Sequence, residues 1–186
     1  MVSLASLAIP IIVSAVFVFL ASFVLHMVLP LHKGDYRTVP REDEFQSAVR
    51  SFDIPPGDYL VPCAGSPAGM KNPAFLERLK KGPVVIMTLV PGGTPSMARN
   101  LIQWFVFSLV VGLFAGYIAS RALGFGAPYL AVFRFVGCTA FMGYSMGLVQ
   151  DSIWYRRNWG TTSRYLLDGL IYGCLTAGTF GWLWPR

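Results

Sequence analysis

The first 32 residues contain no Asp, Glu, Lys or Arg. This stretch is longer than the about 20 mostly apolar residues that cross a bilayer as a helix. It lacks a basic segment at its start, and its apolar run exceeds the about 7–15 residues typical of a cleaved signal peptide. We therefore expect an uncleaved membrane-spanning helix over about Leu4–Leu29.

Three further apolar segments predict a membrane bundle. They cover about Leu101–Ser120, Tyr129–Gln150 and Ser163–Trp184, of which the second contains Arg134 and the third contains Asp168. The composition agrees, since 13% of the residues are charged against about 25% in a typical soluble domain. The predicted fold class is an all-α membrane protein with a four-transmembrane-helix bundle.

A polar region separates the first two apolar segments. Apolar residues at helical spacing predict a helix around Phe45–Phe52, and Asn72-Pro73 predicts the start of another. Asp58–Val61 and Val84–Val90 have the composition of strands and are bounded by Pro/Gly turns. We thus predict helix 1 at residues 1–30, a small cytoplasmic α+β insertion between helices 1 and 2 at residues 31–100, and a three-helix transmembrane core at residues 101–186.

The distribution of basic residues predicts the topology. Nine Lys and Arg lie between residues 31 and 100 and three more lie between the third and fourth segments, whereas Arg121, Arg134 and Arg186 fall on the other side. Because cytoplasmic loops carry the excess of basic residues, we expect the 31–100 loop to be cytoplasmic and both termini to be outside. The basic residues flank apolar runs, so the net charge of +6 indicates a lipid bilayer and no nucleic acid as partner.

Small residues recur every fourth position in the last three apolar segments. Residues at this spacing share one helix face and let helix backbones approach closely in a membrane. The predicted helix-packing grooves contain Gly112, Gly116, Gly143, Gly147, Gly169, Gly173 and Gly181. These grooves serve either packing within the chain or contact with another subunit, and the sequence does not divide them between the two.

The similar depth of four polar side chains in the bilayer predicts an intramembrane polar cluster. Asp168 and His26 fall at a similar distance from the cytoplasmic face, and Gln103 and Gln150 fall near the same level. Ionisable groups inside a membrane suggest function, and this cluster would suit proton or ion handling. The alternative is a structural clasp, with Arg164 one turn before Asp168 as its local partner.

A second surface is predicted between the third and fourth segments. Trp and Arg favour the bilayer interface with anionic headgroups, and we expect an interfacial segment, or alternatively a partner-binding surface. Its residues are Trp154, Arg156, Arg157 and Trp159.

Motifs of catalysis are missing from the sequence. It has no Walker-type phosphate loop, His-Glu-x-x-His, Gly-x-Ser-x-Gly or Cys-x-x-Cys. The only histidines, His26 and His32, lie near one end of one helix, which does not suit haem ligation. We therefore expect no catalytic residues, no cofactor or cofactor-binding residues and no metal ligands.

The chain also resembles an uncharacterised family of small bacterial inner-membrane proteins from about residue 38 onward. The resemblance lies in residues 132–137 (VFRFVG), 168–172 (DGLIY) and 176–185 (TAGTFGWLWP), with Gly82-Pro83 and Pro91-Gly92-Gly93. It implies a multi-pass protein of the bacterial inner (cytoplasmic) membrane, and it implies no activity.

Grooved helices, an interfacial segment and a cytoplasmic insertion all offer binding surfaces. The function expected from the sequence is that of a non-catalytic accessory, scaffolding or assembly subunit, with other membrane-protein subunits or itself as partner. The alternative is a small oligomeric transporter or channel subunit that uses the polar cluster. A membrane enzyme with a site at the cytoplasmic interface is a third hypothesis.

Overall fold

The computed structural model describes residues 2–94 and 96–186, which form two compact units. A helical unit contains residues 2–37 and Ser96–Arg186, and an insertion unit contains residues 38–94. In chain order the helices are α1 (Ala8–Phe23), α2 (Glu42–Ser51), α3 (Pro73–Lys81), α4 (Met97–Ala122), α5 (Tyr129–Ser145), α6 (Val149–Trp154) and α7 (Trp159–Trp182). The strands are β1 (Gly57–Val61) and β2 (Val85–Leu89).

Three helical stretches are long and apolar enough to cross a membrane. They are Ala5–Val28, Met97–Ala122 and Tyr129–Trp154, so the predicted membrane character is confirmed for three of the four apolar segments. The fourth, α7, has 24 residues but is not among the three, because Arg164, Asp168 and several Gly and Thr residues lower its apolarity. The predicted count of four spans is therefore not confirmed.

The core of the helical unit lies where α7 packs along α5, while α1 packs against α4 and α7. Val132, Val136, Ala177 and Phe180 are fully buried there. Interior positions of this kind favour close packing of complementary shapes. Closely fitting apolar side chains therefore hold these helices together along most of their length.

Glycines provide the close approach between these helices. A Cβ atom at Gly169 would overlap Ser145 of α5, and one at Gly181 would lie 2.6 Å from the ring of Tyr129. A Cβ atom at Gly116 of α4 would lie 3.0 Å from the ring of Phe180, which is also a tight contact. A larger side chain at these positions requires the helices to separate, which is why glycine suits them.

The insertion unit contains the predicted strands as an antiparallel pair. Gly57 pairs with Leu89 and Val61 with Val85, so both predicted strands are confirmed, with ends shifted by one residue, and they form a two-stranded sheet. Helix α3 begins at its predicted proline, where the Asn72 side chain accepts a hydrogen bond from the N–H of Ala74, as expected of a helix cap. Within this unit a small number of side chains are buried, among them Phe75.

Two boundaries differ from the sequence-based expectation. The third apolar segment is not one helix, because a 3₁₀ turn at Met146–Leu148 separates α5 from α6. The helical unit also extends to Arg37, so the first seven residues of the predicted insertion pack with the helices. This second difference places additional polar side chains beside α7.

Candidate functional site

A break in helix geometry brings the two histidines together. His26 lies in a π-helical turn, Val24–Val28, that is followed by extended backbone at Leu29 and a 3₁₀ turn, Pro30–His32. The His26 and His32 rings stack in parallel, with centroids 4.2 Å apart and planes at 4°. In a continuous α-helix, residues six apart would be separated by about 9 Å along the axis and lie on different faces.

Both histidines contact one buried carboxylate. The side chain of Asp168, on α7, is 2% exposed. Its Oδ2 atom lies 3.0 Å from His32 Nε2 and 3.7 Å from His26 Nε2. Neither contact has hydrogen-bond geometry, and both Asp168 oxygens and His32 Nε2 are buried without a hydrogen-bond partner among the described residues.

The other nitrogen of each ring contacts an oxygen that accepts hydrogen bonds. His26 Nδ1 lies 3.1 Å from the carbonyl oxygen of Ser22, and His32 Nδ1 lies 2.7 Å from Oδ2 of Asp35. A carbonyl or carboxylate oxygen requires that Nδ1 carry the hydrogen, which leaves the Nε2 lone pair free in a neutral imidazole. Both Nε2 atoms therefore face Asp168 as electron-pair donors.

An ion pair fixes the charge of Asp35. Its carboxylate accepts hydrogen bonds from Nε of Arg164, at 2.9 Å, and from Nη2 of the same guanidinium. Burial alone would raise the pKa of the Asp35 carboxyl, but the hydrogen bonds from His32 and Arg164, with their charges, outweigh burial and lower the pKa below its usual value. Asp35 is thus an anionic acceptor that orients the His32 ring.

This arrangement fits a metal ion. The ligand atoms of His26, His32 and Asp168 all lie within 4.8 Å of one another. Two metal–ligand bonds of about 2.1 Å at a tetrahedral angle separate the ligand atoms by about 3.4 Å, and the contacts to Asp168 lie on either side of this value. Metal-bound histidines commonly donate their second N–H to a carboxylate or a backbone carbonyl, as His32 and His26 do here.

The donor set indicates which ion fits. Two imidazole nitrogens and one carboxylate oxygen suit Zn²⁺, Fe²⁺ or Co²⁺ better than Mg²⁺ or Ca²⁺, which prefer oxygen ligands. Three protein ligands leave at least one coordination position for water or another molecule. Such a site can polarise a bound oxygen atom and lower the pKa of bound water.

An apolar cavity adjoins the three side chains. Its volume is about 820 Å³, and its lining is almost entirely apolar. The lining residues are Phe19, Leu20, Ser22, Phe23, His26, Met27, Leu101, Trp104, Phe107, Gly143, Tyr144, Ser145, Gly147, Leu148, Tyr165, Asp168, Gly169 and Tyr172. Asp168 and His26 are thus shared by the cavity and the metal-ligand cluster.

The predicted polar cluster is only partly assembled. The structure brings His26 beside Asp168, whereas Gln103 and Gln150 are exposed and do not line the cavity. Arg164, expected as the local partner of Asp168, instead pairs with Asp35. The geometry of α7 explains this correction, because the Arg164 guanidinium extends toward the segment after His32.

His32 and Asp35 were not linked to Asp168 by the sequence analysis, which also predicted no metal ligands. The ligands come from positions 26, 32 and 168, so no short spacing motif exists to find. One signal was available, since Leu29-Pro30 favours a helix end and Pro30 begins a new turn. A chain reversal there would have placed His32 near His26.

The other predicted residues contribute no ligand atom to this cluster. Trp154 and Trp159 are 72% and 57% exposed, and Arg157 stacks its guanidinium 4.9 Å from the Tyr165 ring centroid. Gly112 and Gly143 contact α1 and α4 respectively, while a Cβ at Gly147 would meet nothing within 4 Å. Gly173 lies against the backbone of α5.

Comparisons of the chain with protein-family models, curated proteins and solved structures found no match. The fold and the site define a mostly helical chain with three helices suited to a membrane and a His–His–Asp cluster in its helical unit. Residue roles therefore rest on the geometry of the chain itself.

Proposed function

We propose that the protein is an integral membrane protein that binds a divalent transition-metal ion through His26, His32 and Asp168. The observation that carries the proposal is the orientation of the two imidazoles. Each gives its Nδ1 hydrogen to an oxygen and turns its Nε2 atom toward the same buried carboxylate oxygen. The three ligand atoms lie within 4.8 Å of one another, so one cation bound among them would give all three groups a partner.

Charge supports a metal ion over a simple clasp. Asp35 and Arg164 neutralise each other, so Arg164 does not balance the buried carboxyl group of Asp168. A single added proton satisfies at most one of the two imidazole contacts, and two imidazolium rings stacked at 4.2 Å would repel by about 4 kcal/mol in a medium of dielectric constant about 20. A divalent ion satisfies all three groups at once.

The proposal also includes the arrangement of the helices in the membrane. We infer that α7 is a fourth span beside the three apolar stretches, because it packs along α5 and α1 and its charged groups face partners inside the helical unit. The protein then resides in a bacterial inner membrane with both termini outside and the insertion in the cytoplasm. Asp168, nine residues after the start of α7, lies about 14 Å along that helix.

Metal titration tests the proposal. The full-length protein, purified in detergent and stripped with a chelator, is titrated with Zn²⁺ or Co²⁺. We expect one high-affinity ion per chain. Each of His26→Ala, His32→Ala and Asp168→Asn should weaken binding by more than the about 10–100-fold that is typical of losing an outer-shell partner.

Gln103→Ala and Gln150→Ala are matched controls, because both residues are polar, exposed and outside the cluster. They should bind the ion as the unchanged protein does. Absence of stoichiometric binding, or equal binding by Asp168→Asn, contradicts the proposal.

A second candidate function uses the same residues. The pairing of His26 with Asp168 also favours the transporter hypothesis, in which this pair carries protons or ions in an oligomer. The accessory-subunit hypothesis is less supported, because most of the predicted glycine grooves contact helices of the same chain. Proton-coupled flux in proteoliposomes that is lost in Asp168→Asn without any metal requirement would favour the transporter.

A further inference from the structure

The apolar cavity has the size and walls of a cofactor site. Its volume of about 820 Å³ lies within the about 300–1,000 Å³ typical of sites for small molecules. Aromatic side chains dominate one wall, where the rings of Trp104, Tyr144 and Tyr172 lie 5.5–6.1 Å from one another. Such a wall suits a planar ring, since aromatic faces and edges pair in offset or T-shaped contacts.

Three of the polar side chains that line the cavity, Asp168, Tyr144 and Tyr172, lack hydrogen-bond partners among the described residues. The Tyr172 hydroxyl and both Asp168 oxygens are buried without a hydrogen-bond partner among the described residues. The Tyr144 hydroxyl is also buried without a hydrogen-bond partner among the described residues, although Ser108 and Thr176 lie near it. Buried polar groups are usually paired, so a bound molecule with both donors and acceptors would satisfy them.

The charged side chains that line the cavity restrict which head groups can bind there. No Lys or Arg is among the described residues that line the cavity, and Asp168 is its one carboxylate. A phosphate or sulfate head group would therefore enter without a cation to pair with and beside a carboxylate, which disfavours phospholipids. An uncharged head group on an otherwise apolar molecule avoids this cost.

We propose that the cavity binds an uncharged ring-headed isoprenoid lipid of the quinone or quinol class. The ring lies against Trp104 and Tyr172, and one ring oxygen, carbonyl or hydroxyl, accepts a hydrogen bond from the Tyr172 hydroxyl. In the quinol form a ring hydroxyl donates to Oδ1 of Asp168, whose Oδ2 faces the two histidines. The isoprenoid chain occupies the apolar remainder. This proposal goes beyond metal binding, although the two sites share His26 and Asp168, and it includes no redox step.

Tryptophan fluorescence provides the test, because quinones quench a tryptophan that they contact. The full-length protein in lipid nanodiscs is titrated with a short-chain alkyl benzoquinone. We expect saturable quenching that disappears in Trp104→Phe and persists in Trp182→Phe, the matched control, because Trp182 is 69% exposed and does not line the cavity.

Two further variants separate binding from folding. Gly147→Phe fills the cavity from a position where a Cβ meets no atom within 4 Å, and it should abolish saturable quenching while leaving the helical content unchanged. Tyr172→Phe should weaken binding about five- to tenfold through one lost hydrogen bond. Non-saturable quenching, or equal quenching in Gly147→Phe, overturns the proposal.

Chelator-treated protein should bind the benzoquinone as well as untreated protein does. Quinone binding is then tested independently of metal binding, and either proposal can fail without the other. Mass spectrometry of lipids that copurify identifies the natural occupant. A bound quinone supports the proposal. Phospholipid alone, together with displacement of the benzoquinone by phospholipid, contradicts it and assigns the cavity to an ordinary membrane lipid.

Discussion

His32 connects two carboxylates through the two nitrogens of one ring. Its Nδ1 contacts Asp35 at 2.7 Å and its Nε2 contacts Asp168 at 3.0 Å. Because Asp35 is also paired with Arg164, the orientation of His32 is determined by an ion pair that lies outside the ligand cluster. Such outer partners raise the basicity of a histidine ligand and hold its ring in place.

Asp35→Asn should therefore weaken metal binding about 10–100-fold without removing a ligand. The amide keeps the size of the side chain but loses the charge that pairs with Arg164 and the strong acceptor for His32. Affinity for Zn²⁺, measured by competition with a chromophoric chelator, checks this expectation.

Asp151→Asn is the matched control, since Asp151 pairs with Arg157 at 3.6 Å and contacts no residue of the cluster among the described contacts. It should leave Zn²⁺ affinity unchanged. If Asp35→Asn lowers thermal stability but leaves Zn²⁺ affinity intact, Asp35 serves only the fold and its positioning role is refuted.

Two members of the site were within reach of sequence reasoning. Helix lengths alone placed His26 and Asp168 at a similar depth, and the structure has them 3.7 Å apart. The same reasoning failed for Gln103, which faces outward, because depth along a helix does not specify its rotation. The position of His32 beside His26 depends on the π-helical turn and the extended backbone at Leu29. The pattern of apolar residues does not predict that backbone path.

Contact between α5 and α7 depends on the absence of side chains at particular positions. A Cβ at Gly169 would overlap the Cβ of Ser145. Alanine is favoured over glycine in a helix by about 1 kcal/mol, whereas overpacking costs about 1–3 kcal/mol. The steric cost is therefore the larger effect for this pair.

Gly169→Ala should accordingly lower thermal stability in detergent by up to about 2 kcal/mol. Adding Ser145→Gly removes the opposing Cβ and should recover a large part of the loss, since contacting residues are energetically coupled. Gly147→Ala is the control without a steric partner. A stabilised Gly169→Ala variant would show that the two helices are not closely packed there.

The long apolar helices were the most predictable elements, because about 20 uncharged residues in a row allow few alternatives. The strands β1 and β2 followed from their Pro/Gly boundaries within one residue. The 3₁₀ turn that separates α5 from α6 was not predicted. Met146–Leu148 contains neither a proline nor a charge that would have indicated a break in an apolar segment.

Orientation in the membrane is a property of the whole chain. The excess of Lys and Arg in the insertion and before α7 predicts that both termini are outside. A reporter enzyme active only outside the cytoplasm, fused after Arg186, should be active, and the same reporter inserted after Gly93 should be inactive. The opposite pair of results would invert the topology and place the site at the other face.

Binding of a metal ion at the His–His–Asp cluster is the central claim, and X-ray absorption at the metal edge tests it most directly. Protein loaded with one equivalent of Zn²⁺ should show two imidazole nitrogens and carboxylate or water oxygens at about 2.0–2.2 Å, with no sulfur at about 2.3 Å. The imidazole signal should disappear when both histidines are replaced. A spectrum of oxygen ligands alone, or one with Cys63 sulfur, would contradict the account.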